Sequence, residues 1–274
     1  MTKEWCEAKN KEIQEEYEKA VSKLHDFVIN FLDEKNIKLS DKDINYLKND
    51  ASVLGVYAYN LFFRSLARKT GVEFDSINIC MDKTFCDLVT KVSDLSSSIN
   101  ENGKCYAFDY LLDTEVVEFD GNVLVTDPCY ILKEDADADR DEWEYCNYGD
   151  NLEKLGITKF VTNRTLYGDW SCTMYNFDTK KAVGEFCADA GLVSIMDFDQ
   201  ALAYNNEGIK ELTEKSWCAT VIKNFKGTGQ VKVKEVKYMY EGKEHTDYEA
   251  YVELIGINKN TGKNVHYISA QTGL

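Results

Sequence analysis

A chain of 274 residues with 44% hydrophobic side chains can bury a sizeable core, and its length predicts two domains. Its 48 acidic against 32 basic residues give a formal net charge of −16, a field that repels phosphate and anionic lipid. Charge-driven binding of nucleic acid or of a bilayer surface is therefore disfavoured, whereas a basic protein partner is favoured; simple solubility is the plainest use of the same charge.

The chain starts with the polar run MTKEWCEAKNKEIQEEYEK, and no apolar stretch follows it. A signal peptide and membrane spans are not expected, which predicts a cytoplasmic protein with reduced thiols. The nine cysteines, at 6, 80, 86, 105, 129, 146, 172, 187 and 218, are odd in number and contain no CxxC pair. Zinc-ligand spacing is absent, and most of these cysteines are expected as small core residues.

Residues 3 to about 98 read as helical. Ile13, Tyr17, Ala20, Val21, Leu24, Phe27, Val28, Phe31 and Leu32 recur at spacings of three and four, one apolar stripe along a first helix. Ser40 before Asp41 and Asp43 predicts a cap for a second helix running to about Lys69, ended by Thr70 and Gly71. A third is predicted from about Asp82 to Ser96. The polar run SSSINENGK between Ser96 and Cys105 marks a loop, and it sets the expected domains as helical over 1–100 and β-rich over 101–274.

Beyond the loop the hydrophobic period changes to two. Asp120-Gly121 between β-prone runs predicts a hairpin. TKFVTN, WSCTMYNF, AVGEFCA, LVSIM, WCATVIKNF, GQVKVKEVKYMY, YEAYVELIGI and VHYIS are further strand candidates. One short helix is predicted from Asp197 to about Tyr204. Alternation slips at Lys234 to Val236, which predicts a long hairpin with a bulge or bend there. The expected class is α+β: an N-terminal domain of about three helices, then an antiparallel β sandwich or partly closed barrel.

Four features could carry function. The acidic stretch from Glu134 to Glu144 sets Asp135, Asp137, Asp139 and Asp141 at the odd positions of a calcium loop. Arg140 occupies the turn position that needs glycine, and Cys146 the twelfth position, so no metal is expected. A surface presented to a basic partner fits better, made of Asp135, Asp137, Asp139, Asp141 and Glu142 with Trp143 and Tyr145 as anchors. Pro128, the only proline, fixes its own backbone and extends Asp127. Cys129 is then a nucleophile candidate, provided that His245 or His266 meets it, or else a structural cysteine behind a rigid turn. Asp127, Asp169 and Asp189 each lie beside a turn-forming residue; converged, they could act as acid and base or hold a metal, and unconverged they cap turns. Finally, the aromatic-rich stretch from Tyr106 to Tyr175 is interleaved with acidic residues, which suits protein contacts better than base stacking.

Five blocks stand out: VLVTDPCYIL, YGDWSCTMY, GEFCADAGLVSIMDFDQALAYN, SWCATVIKNFKG and YISAQTGL. In this order they resemble a family of uncharacterised phage and gut-bacterial proteins built on Asp-Pro-Cys-Tyr, Asp-Ala-Gly and a closing Gln-Thr-Gly. The resemblance covers residues 115 to 274 and assigns no activity. It implies a life in a bacterial cell. No Walker phosphate loop, Rossmann fingerprint, HExxH or GxSxG occurs, and no cofactor is expected. The reading is an acidic, non-enzymatic binding protein of phage or mobile-element origin that inhibits a bacterial nucleic-acid-handling or defence protein, in the manner of an anti-CRISPR. The alternatives are a hydrolase or transferase using Asp127, Cys129, Asp169 and Asp189, and a nucleotide-signal sponge if Lys223, Lys226, Lys232 and Lys234 gather around a pocket.

Overall fold

The computed structural model describes residues 1–47, 52–133, 152–164, 170–188, 192–215 and 217–271. The chain divides into two compact units, Glu4–Asp109 and a second made of Met1–Lys3 with Tyr110–Leu274.

The first unit is helical: α1 (Lys3–Glu34), α2 (Asp41–Tyr46), α3 (Ser52–Thr70), α4 (Phe74–Ile77) and α5 (Lys83–Ser96). Ser40 caps α2 in a reciprocal box with Asp43, and the Asp82 carboxylate accepts from the Phe85 amide at 2.9 Å to start α5. The single second helix expected over 41–69 is broken. Gly55 takes φ 74° and ψ −164°, a conformation open to glycine at little cost, and interrupts the helical backbone within α3. The α1 stripe does face inward: Ala20, Leu24, Val28 and Leu32 pack with Tyr59, Phe63 and Phe85 in one buried cluster. Burial of each Leu, Val or Phe among them stabilises the unit by roughly 1.5–3 kcal/mol. The loop after α5 is tied back to α1, where the Asn10 side chain binds the Phe108 amide at 2.9 Å and the Asp109 carboxylate at 2.6 Å.

The second unit holds β1 (Val117–Thr126), β2 (Phe160–Arg164), β3 (Trp170–Asn176), β4 (Ala182–Ala188), β5 (Leu192–Asp197), α6 (Phe198–Tyr204), α7 (Asn206–Lys215), β6 (Ala219–Tyr240), β7 (Lys243–Asn258) and β8 (Asn264–Gln271). The strands form one antiparallel sheet in the order β2-β5-β1-β6-β7-β8-β3-β4, with β2 and β4 at its two edges, so the sheet is not closed. Asp120-Gly121 makes no hairpin. Both residues stay in β1 opposite Lys226 and Phe225 of β6, and just beyond them the register shifts, with Lys223 and Asn224 of β6 opposite the single Asn122 of β1. Lys226 and Lys259 pair with the Asp120 carboxylate and hold it against the sheet.

The long β6–β7 hairpin is present, turned by Glu241 and Gly242, both at positive φ. The bulge expected at Lys234 to Val236 is not: the register runs unbroken from Phe225↔Asn258 to Tyr240↔Lys243. The polar neighbours Lys234 and Glu235 fit without a bulge because both are exposed there. Among the described strands, Lys234–Tyr240 of β6 pairs with β7 alone, and the tip shows Tyr238, Met239 and Tyr240 to solvent.

One face of the sheet is covered by α6 and α7. Leu124, Met196, Ala201, Ile209 and Ala219 form a buried cluster there, with Phe198, Leu202 and Val221 packed against it. Alternation sends the buried Val123, Val125 and Ile222 to the opposite face. No helix among the described residues is long and apolar enough to cross a membrane.

Candidate functional site

The five sequence blocks meet at one corner of the sheet. At the end of β1, the Thr126 hydroxyl donates to the Cys218 carbonyl at 2.9 Å, and the Asp127 amide donates to the Cys187 carbonyl at 3.2 Å. The Cys187 amide in turn donates to the Cys218 carbonyl at 3.2 Å, so β4 is stitched to β1 and to the start of β6. Ser171 of β3 faces Cys187 of β4, and Cys172 faces Gln271 of β8. These bonds lie outside the regular ladder and cap the edge of β4, which would otherwise expose unpaired backbone groups.

Asp127 sits at the centre of this corner and is fully buried. Its carboxylate accepts from the Cys129 amide at 2.8 Å and caps a single 3-10 turn, Pro128–Ile131, with proline at its first position. Pro128 and Cys129 are buried as well. This is the turn-capping role, and it places neither the carboxylate nor the thiol at a surface that substrate could reach.

The histidines considered for Cys129 lie elsewhere. His266 bonds to the Glu253 carboxylate at 3.0 Å and packs on Phe177, at the far end of β3 from Ser171, about 20 Å away along the strand at ~3.3 Å per residue. His245 stacks on Tyr238 near the tip of the β6–β7 hairpin. Asp169 and Asp189 lie outside the described residues. The nearest described strand ends, Trp170 and Ala188, are cross-strand partners, and Cys187 beside them binds Asp127. Asp135, Asp137, Asp139, Asp141, Glu142, Trp143 and Tyr145 also lie outside the described residues.

Beside the corner is a groove of ≈ 660 Å³ that sequence reasoning did not locate. Its floor is the alternate-residue stripe Trp217, Ala219, Val221 and Lys223. One wall is α6 and α7, through Phe198 and Leu202 and then Lys210, Thr213 and Glu214; the other is Val183–Glu185 of β4. Thr220 donates its hydroxyl to the Glu185 carbonyl at 2.6 Å, which joins the β4 wall to the floor. Trp217 is 55% exposed and Val183 44%. The volume falls within the range typical of ligand pockets, roughly 300–1,000 Å³. A signal was present in the sequence: Trp217 lies between the polar run ending at Lys215 and an alternating strand, so an aromatic stands at a helix–strand junction.

Lys210, Lys223, Glu185 and Glu214 all line this groove, and none forms an ion pair with a described residue. Of the lysines considered for an anion pocket, only Lys223 lines it. Lys226 pairs with Asp120 at 3.4 Å, Lys232 with Glu253 at 3.1 Å and Lys234 with Glu249 at 3.1 Å. Two cations and two carboxylates leave the groove without the positive field that a nucleotide's phosphates require.

Among the described residues eight cysteines carry free thiols, and Cys6, Cys80, Cys129, Cys172 and Cys187 are buried. No group of three or more metal-ligating side chains occurs among the described residues. No family model, curated protein or solved structure matches the chain.

Proposed function

We propose that this chain is a binding protein whose β-rich unit engages a basic protein partner. One observation carries the reading: the corner encloses the groups that chemistry would need, Asp127 and Cys129, while the groove beside it opens to solvent a half-exposed tryptophan and four charges with no ion-pair partner among the described residues. Binding surfaces concentrate their energy in such aromatic anchors, whereas catalytic groups must touch the reacting atoms. The net charge of −16 supplies long-range attraction for a basic partner. The sharper form, an anti-CRISPR-like inhibitor of a bacterial nucleic-acid-handling or defence protein acting in the cytoplasm of the host, draws on that charge and on the resemblance to phage and gut-bacterial proteins.

Immobilised chain exposed to bacterial lysate is the test. A basic protein should be retained at low salt, form a complex of fixed stoichiometry with the purified chain, and weaken as salt rises. Retention only of proteins that bind equally to an unrelated protein of the same net charge would overturn the reading.

A second reading, acid–base or metal chemistry at Asp127, Asp169 and Asp189, has one observation in its favour. The Asp127 amide binds Cys187, and the strand ends Trp170 and Ala188 beside it are partners.

A further inference from the structure

We infer that the groove between α6–α7 and β4 receives an extended segment of the partner, about six residues long, with an arginine or lysine at its Trp217 end. The inference rests on the binding reading above and names the chemistry of its site.

Length comes first. The floor runs from Trp217, in the bend before β6, through Ala219 and Val221 to Lys223, at most about 20 Å at roughly 3.3 Å per residue, which admits an extended peptide of up to about six residues and exceeds a single planar ligand. The walls are of different kinds, a helical pair on one side and a strand on the other. At Glu185 and Cys187 the edge of β4 is already bonded to Thr220, Cys218 and Asp127, which favours recognition through side chains over an added strand.

Charge comes second. Glu214 ends the α7 wall only a few residues before Trp217, so a carboxylate and an exposed indole share one end of the groove. An aromatic face beside a carboxylate is the pairing that receives a guanidinium or ammonium, the ring through its quadrupole and the carboxylate through a charged hydrogen bond. Lys223 closes the other end and selects against a second basic residue there. Lysines farther along the sheet are already neutralised by Asp120, Glu253 and Glu249, whereas the groove charges have no such partners among the described residues. The cost of separating existing ion pairs is thus avoided on binding.

An array of terminally blocked, randomised hexapeptides, read by fluorescence binding to the full chain, tests the proposal. Bound peptides should carry Arg or Lys near one end. Affinity should fall at least tenfold in Trp217→Ala and about threefold in Glu214→Gln, and should be unchanged in Tyr238→Ala at the distant hairpin tip. Trp217 is half-exposed, and a thermal melt checks that its variant folds; Glu214→Gln lies on an exposed helix surface and gives an independent readout. The proposal is overturned if no peptide binds the wild type better than Trp217→Ala, if peptides lacking a basic residue bind equally well, or if Trp217→Ala abolishes a dimer of the chain, which would assign the groove to a second copy. Protein capture from lysate that survives Trp217→Ala would leave the binding reading standing and reject this site alone.

Discussion

Gly184 lies so close over Thr220 that a β-carbon on it would stand 2.4 Å from the threonine hydroxyl and 2.5 Å from its methyl group. The contact lets β4 cross the start of β6 and sets the width of the groove. Thr220 cannot swing aside freely, since it is buried and its hydroxyl is spent on the Glu185 carbonyl at 2.6 Å. Gly184→Ala should therefore destabilise the β-rich unit by about 1–3 kcal/mol, as overpacking does. Adding Thr220→Ser, which removes the methyl group and keeps the hydroxyl, should restore part of that loss. Urea unfolding of the single and double variants checks both; an unaltered midpoint for Gly184→Ala would show that the crossing is loose.

Much of the helical unit was legible because its signals are local. The Ser40 cap, the Asp82 start of α5 and the stripe of Leu24, Val28 and Leu32 follow from neighbours within a turn or two. The failures came where a tertiary partner decides. Asp120-Gly121 satisfies a hairpin rule, yet the ladder with β6 and the ion pairs from Lys226 and Lys259 keep the strand straight through it. Gly227 and Gly256 face each other across β6 and β7 so tightly that a β-carbon on either would meet a backbone carbonyl at 2.2 Å, a pairing that no local pattern marks. For Asp127 the sequence left a turn cap and a catalytic carboxylate open, and its carboxylate accepts from the Cys129 amide at the start of the turn. Its bond to Cys187 joins segments far apart in sequence, and no local pattern encodes that.

Thiol reactivity should separate the cysteines by burial. Burial pushes the Cys172 thiol up to about 12, and the nearby Glu249 carboxylate adds to it, so almost no thiolate exists at pH 8. Timed alkylation of the native protein at that pH, mapped by mass spectrometry, should modify the half-buried Cys86, Cys105 and Cys218 well before Cys172, Cys187 or Cys129. Labelling of Cys129 as fast as Cys218 would contradict the sealed corner and restore the nucleophile reading.

The α2 cap should make the helical unit sensitive to acid. Burial raises the Asp43 pKa, but hydrogen bonds from Lys69 and from Ser40 outweigh it and bring the carboxyl down to about 2. A carboxyl whose folded pKa is depressed contributes stability above its unfolded pKa and loses it as pH falls through the folded value. That contribution is present above about pH 4 and gone near pH 2. Carboxyl titration by NMR should place Asp43 below the ordinary aspartate value of about 3.9. Lys69→Met should move it upward and narrow the pH window; no movement would mean that the 2.8 Å contact between Lys69 and Asp43 is not formed in solution.

The Asp127 side chain offers the sharpest choice between scaffold and catalyst. As a cap, it needs one oxygen acceptor for the Cys129 amide, 2.8 Å away, and no proton transfer. Asp127→Asn keeps that acceptor and avoids burying a carboxylate, so its stability should stay near that of the wild type. Asp127→Ala removes the acceptor in a fully buried position and should cost about 1–2 kcal/mol or more, because the Cys129 amide then lacks its side-chain partner. The 3-10 turn at Pro128–Ile131 should loosen with it, and hydrogen exchange at Cys129 and Tyr130 should accelerate in Asp127→Ala only. Partner binding should follow stability in both variants. If Asp127→Asn instead folds as well as the wild type yet loses function outright, the carboxylate is chemical and not structural, and acid–base or metal work at this corner would take the place of binding.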